Sequence, residues 1–139
     1  WVAFSEPGLA AWRRAPAGAT LDAVATDAAL LHARTLGPAL ALVTQGAQGA
    51  RWIEGGHGQS ARSVPAPAVN ALDTTGAGDV FHAALAIALT EGRPSEEAVA
   101  WACAAAAYKC LTRSGAEGAP TRGALARWLG ARSDRPRHA

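Results

Sequence analysis

The residues of this chain best suited to chemistry are consecutive: Asp73-Thr74-Thr75-Gly76-Ala77-Gly78-Asp79. Two glycines bracket a small residue, an acid follows, and Val80 to Leu89 then supplies an apolar segment of helical length. Such a turn opens directly into a helix N-terminus, whose first backbone N–H groups have no partner within the helix. The aligned peptide dipoles favour an anion there, and glycine lets one approach the backbone without a Cβ in the way. A carboxylate at Asp79 would repel that anion, which points to chemistry rather than binding alone. In phosphoryl transfer a carboxylate near the γ-phosphate accepts the proton of the attacking hydroxyl. The competing reading is that an Asp in a first helical turn simply complements the dipole or caps the helix.

The elements that would position this string follow from pattern. Trp1 to Phe4 reads as the inside of a strand, without an initiator methionine, and Glu6 as a first-turn acid of a short helix ending near Arg14. Thr20 is a candidate N-cap for a helix running through Leu21, Val24, Ala28, Leu31 and Thr35, stopped by Gly37-Pro38. Ala39 to Val43 is too short and too apolar for a surface helix, which predicts a buried, parallel strand. It ends in the glycine loop Thr44-Gln45-Gly46-Ala47-Gln48-Gly49, which by itself is equally a tight hairpin into Ala50 to Glu54. Ala61 to Val69 reads as a strand interrupted by Pro65 and Pro67, hence a sheet edge or a loop crossing. The signature helix is expected from about Asp79 to Glu91, stopping at Gly92, with Phe81, Leu85 and Leu89 at four-residue spacing and facing the sheet. Ser95 is placed as the cap of a helix with Glu96 and Glu97 in its first turn and an alanine-rich face running to Cys110. Thr121 would cap a last helix carrying Leu125, Trp128 and Leu129 and ending at Gly130.

Composition narrows the function classes. A length of 139 residues suits one domain, but more than half of the apolar residues are alanine, so fewer large side chains supply the burial. Arg132, Arg135, Arg137 and His138 crowd the end of the chain without interleaved aromatics, which argues for a solvated tail and against a nucleic-acid partner. No apolar run approaches a membrane span, no signal peptide is evident, and the chain reads as soluble and cytoplasmic. Cys103 and Cys110 share one helix face about 10 Å apart along the axis, too far to bridge. His32, His57, His82 and His138 have no metal-ligand spacing, and His82, next to the site, reads as structural. A Walker lysine motif is absent, which excludes the common P-loop arrangement.

The string Asp-Thr-Thr-Gly-Ala-Gly-Asp-x-Phe resembles the C-terminal signature of the ribokinase-like sugar kinases, the phosphofructokinase B family. The resemblance implies a three-layer α/β/α fold with a mostly parallel sheet, of which the chain would be the C-terminal portion. Residues 1–131 would be the nucleotide-binding part of the kinase domain and 132–139 a disordered basic tail. It implies ATP-dependent phosphorylation of a sugar hydroxyl, with Asp79 as catalytic base and Gly76, Ala77 and Gly78 forming the anion hole. The Thr44 to Gly49 loop resembles the family segment that lines ATP, which assigns Thr44, Gly46 and Gly49 to the nucleotide. The helix after Ser95 would lie beside the adenine, making Cys103 and Ala106 neighbours of the base. Ser5 and Gly8 stand where many relatives carry the Asn and Glu of an Asn-x-x-Glu motif, and Glu6 is the nearby carboxylate for Mg²⁺. Carbonyls at Asp73 and Thr75, with the loop Thr112 to Pro120, would hold a monovalent cation such as K⁺, although that loop is slightly longer than in ribokinase. The partner implied is a small-molecule sugar; a homodimer is an open option. Two alternatives stay open: a non-catalytic nucleotide- or partner-binding fragment, and a nucleoside kinase of the same superfamily.

Overall fold

The computed structural model describes residues 1–55, 59–112 and 115–133. His57 and residues 134–139, most of the expected tail, lie outside the described residues, as do Arg113 and Ser114 of the expected nucleotide loop. The chain divides into two compact units, Trp1–Ala66 and Pro67–Ala139.

The first unit is built on a sheet. Strand β1 (Val2–Ser5) leads through helices α1 (Glu6–Trp12) and α2 (Ala23–Thr35) to β2 (Leu40–Thr44), then β3 (Ala50–Glu54) and β4 (Arg62–Val64), and the sheet order is β1-β2-β3-β4. The buried β2 does run parallel to β1, because two helices return the chain to the same end of the sheet. The expected mostly parallel sheet is nonetheless mixed here. β2 pairs antiparallel with β3, and β3 with β4, since the short Thr44–Ala50 connection reaches only a hairpin partner. β4 lies at the sheet edge but stops at Val64, well short of the expected Val69, because Pro65 and Pro67 cannot donate to the ladder. Leu9, Ala29, Leu30, Ala33, Ala41, Val43 and Ile53 form one buried cluster between α1, α2 and the sheet. A bidentate pair at 2.5 and 2.6 Å from Arg51 on β3 to Asp27 adds a polar clamp between α2 and the sheet.

Helix α2 starts later than expected. Asp22, not Thr20, is the N-cap, and its carboxylate accepts from Ala25 N–H at 2.7 Å. Helix α1 is capped by Ser5, whose Oγ accepts from Gly8 N–H at 3.2 Å, and it ends at Trp12, slightly short of the expected Arg14.

The second unit is helical: α3 (Ala77–Thr90), α4 (Ser95–Lys109) and α5 (Arg122–Ser133). α3 begins two residues before Asp79 and ends as expected before Gly92, whose φ of 75° is a left-handed stop. Phe81 and Leu85 are buried and Leu89 half-buried. Ser95 opens α4 from inside the helix; Pro94 occupies the cap position without a side-chain bond. Thr121 does cap α5, accepting from Ala124 N–H at 3.2 Å, and α5 continues past Gly130 to Ser133. Val80, Ala104, Ala105 and Leu125 form the buried cluster of this unit, with Tyr108 meeting Trp128 edge to face.

Candidate active site

In the second unit the string Asp73 to Asp79 is a turn closed on itself. Asp73 Oδ1 accepts from Thr75 N–H at 2.9 Å, the self-bonding of an Asx turn, and Thr74 O accepts from Ala77 N–H at 3.1 Å. Gly76 then takes φ 77°, a left-handed conformation that suits glycine, and stands as the N-cap of α3 with no side-chain cap. The first helical bond runs from Val80 N–H to Gly76 O at 3.0 Å. Of the amides expected to face an anion, that of Ala77 is therefore engaged with Thr74. Those of Gly76, Gly78 and Asp79 have no backbone partner among the described residues. At Gly78 a Cβ would meet nothing within 4 Å, so the backbone there is open to approach.

Asp79 is exposed in the first turn of α3. Its carboxylate has no hydrogen-bond or ion-pair partner among the described residues, so it makes no side-chain cap, while its place in the first turn of α3 complements the helix dipole. It borders a cavity of about 330 Å³ lined also by Ala83, Ile87, Trp101, Arg122 and Leu125, mostly apolar walls with one acid and one base. His82 turns back on its own helix: its Nδ1 lies 2.7 Å from Gly78 O and its ring meets Phe81 edge on.

A residue that sequence reasoning passed over anchors the turn from below. The Lys109 side chain is 0% exposed, and its Nζ donates to Asp73 O at 2.9 Å and lies 3.3 Å from Asp73 Oδ2. Leu72 and Asp73 N–H groups both point to Cys110 O, at 2.7 and 3.4 Å, so the end of α4 grips the start of the string. The amide and side chain of Thr75, and then the Lys109 ammonium, hold the Asp73 carboxyl well below the usual carboxylate range. The signal was present in the sequence, since Ala102, Ala105 and Lys109 recur on one helical stripe and a charge on a buried stripe needs a partner.

The expected metal and base contacts sort unevenly. Asp73 O, expected to face a monovalent cation, already accepts from an ammonium. Thr75 keeps its carbonyl at the turn while its amide is bonded to Asp73. Cys103 lies in the core at 3% exposure with its thiol pushed up to about 12 by burial, and Ala106 is half-buried. Among the described residues no group of three or more His, Cys, Asp or Glu is placed to hold a metal ion.

In the first unit, the glycine loop stands at the carboxyl end of β2, where open α/β sheets bind ligands. Ser5 and Thr44 are register partners, and Thr44 Oγ1 donates to Phe4 O at 3.4 Å. Gln45 Nε2 donates to Glu6 Oε1 at 3.3 Å, which brings Glu6 beside the loop. Gly46 is exposed with φ 54°. Gly49 is buried with φ 96°, and a Cβ on it would lie 2.0 Å from Val64 O, so β4 requires this glycine independently of any ligand.

Comparison with known proteins places this geometry. The solved ribokinase of Thermotoga maritima superposes with a TM-score of 0.78 at 30% identity, covering 92% of this chain and 41% of that one. The ribokinase of Arabidopsis thaliana, solved with ribose and ATP, gives 0.78 at 28% identity over 91% of this chain and 39% of its own. The fold is thus ribokinase-like α/β. The profile of the pfkB family carbohydrate kinases matches residues 1–122, and the chain belongs to that family. The curated ribokinase of Bacillus subtilis (strain 168) is 41% identical over 91 residues, 66% of this chain. That match spans 30% of the Bacillus protein, so the chain corresponds to only part of its relatives' length.

Proposed function

We propose that this chain carries the phosphoryl-transfer part of an ATP-dependent sugar kinase. The observation that supports this reading is the start of α3: an exposed carboxylate, Asp79, without a partner among the described residues, beside amides of Gly76 and Gly78 that have no backbone partner among them. A side chain that capped the helix would be bonded to it, and this one is not. In the proposed reaction the Asp79 carboxylate takes the proton of a sugar hydroxyl as its oxygen bonds to the γ-phosphorus of ATP and the bond to the departing ADP oxygen breaks. The Gly76 and Gly78 amides stabilise the charge growing on the transferring group, with the helix dipole behind them. The Ala77 amide contributes by closing the turn rather than by facing the phosphate. Thr44, Gly46 and Gly49 are assigned to the nucleotide, as in the resemblance, with Gly49 serving chain packing as well.

Mg²⁺ bound with ATP would neutralise phosphate charge. The residues fit an ion held through phosphates and water with few protein carboxylates, Glu6 being the one offered, since Asp73 is already engaged by Lys109.

Titration calorimetry of ATP with this chain and its Gly78→Val variant tests the site. A Cβ at this position meets nothing within 4 Å, so the chain should stay folded, as checked by circular dichroism, while nucleotide affinity is lost. Equal affinity in a folded Gly78→Val chain would overturn the assignment.

A further inference from the structure

We propose that the ε-ammonium of Lys109 is a built-in monovalent cation for the turn before α3, a positioning group that holds Asp73 so that the turn needs no dissolved ion. The argument rests on the phosphate-site reading of that turn for its functional meaning, and on geometry for its substance. A lysine is an improbable choice for packing on the alanine-rich inner stripe of α4, because burying an ammonium is costly unless it is paired and hydrogen-bonded. At 0% exposure, the Lys109 ammonium meets one residue among those described, through the carbonyl and the carboxylate of Asp73. The other carboxylate oxygen of Asp73 receives Thr75 N–H, and Thr74 O receives Ala77 N–H. The ammonium thus begins a chain of bonds that ends at the first residue of α3, two positions before Asp79.

Carbonyl oxygens that stand in for an ion's hydration shell hold potassium, and Asp73 offers the ammonium one carbonyl together with one carboxylate oxygen. Here the charge is tethered, so it is present at full occupancy whatever the ionic composition. Lys109 touches neither the amides of Gly76 and Gly78 nor Asp79, and acts only through Asp73.

The test is amide hydrogen exchange at Thr75 and Ala77 in the nucleotide-free chain, in potassium, ammonium or choline chloride at one ionic strength. The wild type should exchange equally slowly in all three. Lys109→Ala removes the ammonium and leaves space, so exchange in choline should quicken roughly 10- to 100-fold and slow again in potassium or ammonium. Lys109→Met fills the space without charge and should exchange fast in every salt. A wild type that gains protection from potassium would overturn the proposal, and this arm stands even if both variants unfold. So would a folded Lys109→Ala chain that is as protected as wild type in choline, or one that neither ion restores. ATP titration of the wild type separates the two readings: no ATP binding with the expected exchange pattern leaves the lysine's role intact and removes the kinase reading.

Discussion

At Gly49 the chain has no room for any other residue: φ is 96°, and a Cβ would sit 2.0 Å from Val64 O and 2.6 Å from Ala66 N. Gly49→Ala should therefore destabilise by clearly more than the ~1 kcal/mol of an unstrained glycine change, read as a lowered denaturation midpoint. Gly78→Ala, facing open space in a helical turn, should hold or slightly raise it. The two glycines look alike in the sequence. Spacing reveals that a backbone needs freedom, but whether a strand or a ligand requires it depends on what comes close in space. Asp79→Asn is the decisive change for chemistry: in a sugar-phosphorylating preparation of the kinase, turnover should fall by roughly 10² to 10⁴ with nucleotide affinity unchanged. A loss of stability with little kinetic effect would return Asp79 to a structural role. Cys103, buried and with its thiol raised to about 12, should resist a thiol reagent until the chain is unfolded.

Among the elements, helix spans were the most legible because alanine-rich periodic segments bounded by glycine have one sensible reading. Their starts were less so. Thr20 and Asp22 both offer cap oxygens, and only the observed path of the backbone puts Asp22 within 2.7 Å of Ala25 N–H. Asp22→Ala should cost about 1 kcal/mol in chemical denaturation and Thr20→Ala far less. Strand direction was legible for β2 but not for the sheet as a whole, since the glycine loop after Thr44 suits both a ligand-binding turn and a hairpin, and it is built as a hairpin. Leu85, wholly buried on α3, should cost about 2 to 5 kcal/mol as Leu85→Ala.

For the molecule as a whole, the signature string was legible as a turn opening into a helix, because that geometry is local to one turn and one helix start. What sequence order could not supply was the support from elsewhere in the chain: Lys109 lies far from Asp73 in sequence and beside it in space. The alanine surplus, which seemed only to thin the interior, has a further meaning on α4, where Ala98 and Ala102 are 0% exposed and Ala104 and Ala105 are 2% exposed. A surface of methyl groups has little left to remove and no room to grow. Ala102→Gly should cost about 1 kcal/mol, whereas Ala102→Leu should cost about 1 to 3 kcal/mol or more by overpacking. Over generations such a face accepts enlargement only when a facing residue shrinks in step, so these alanines and the side chains they touch should drift as coupled pairs rather than one at a time.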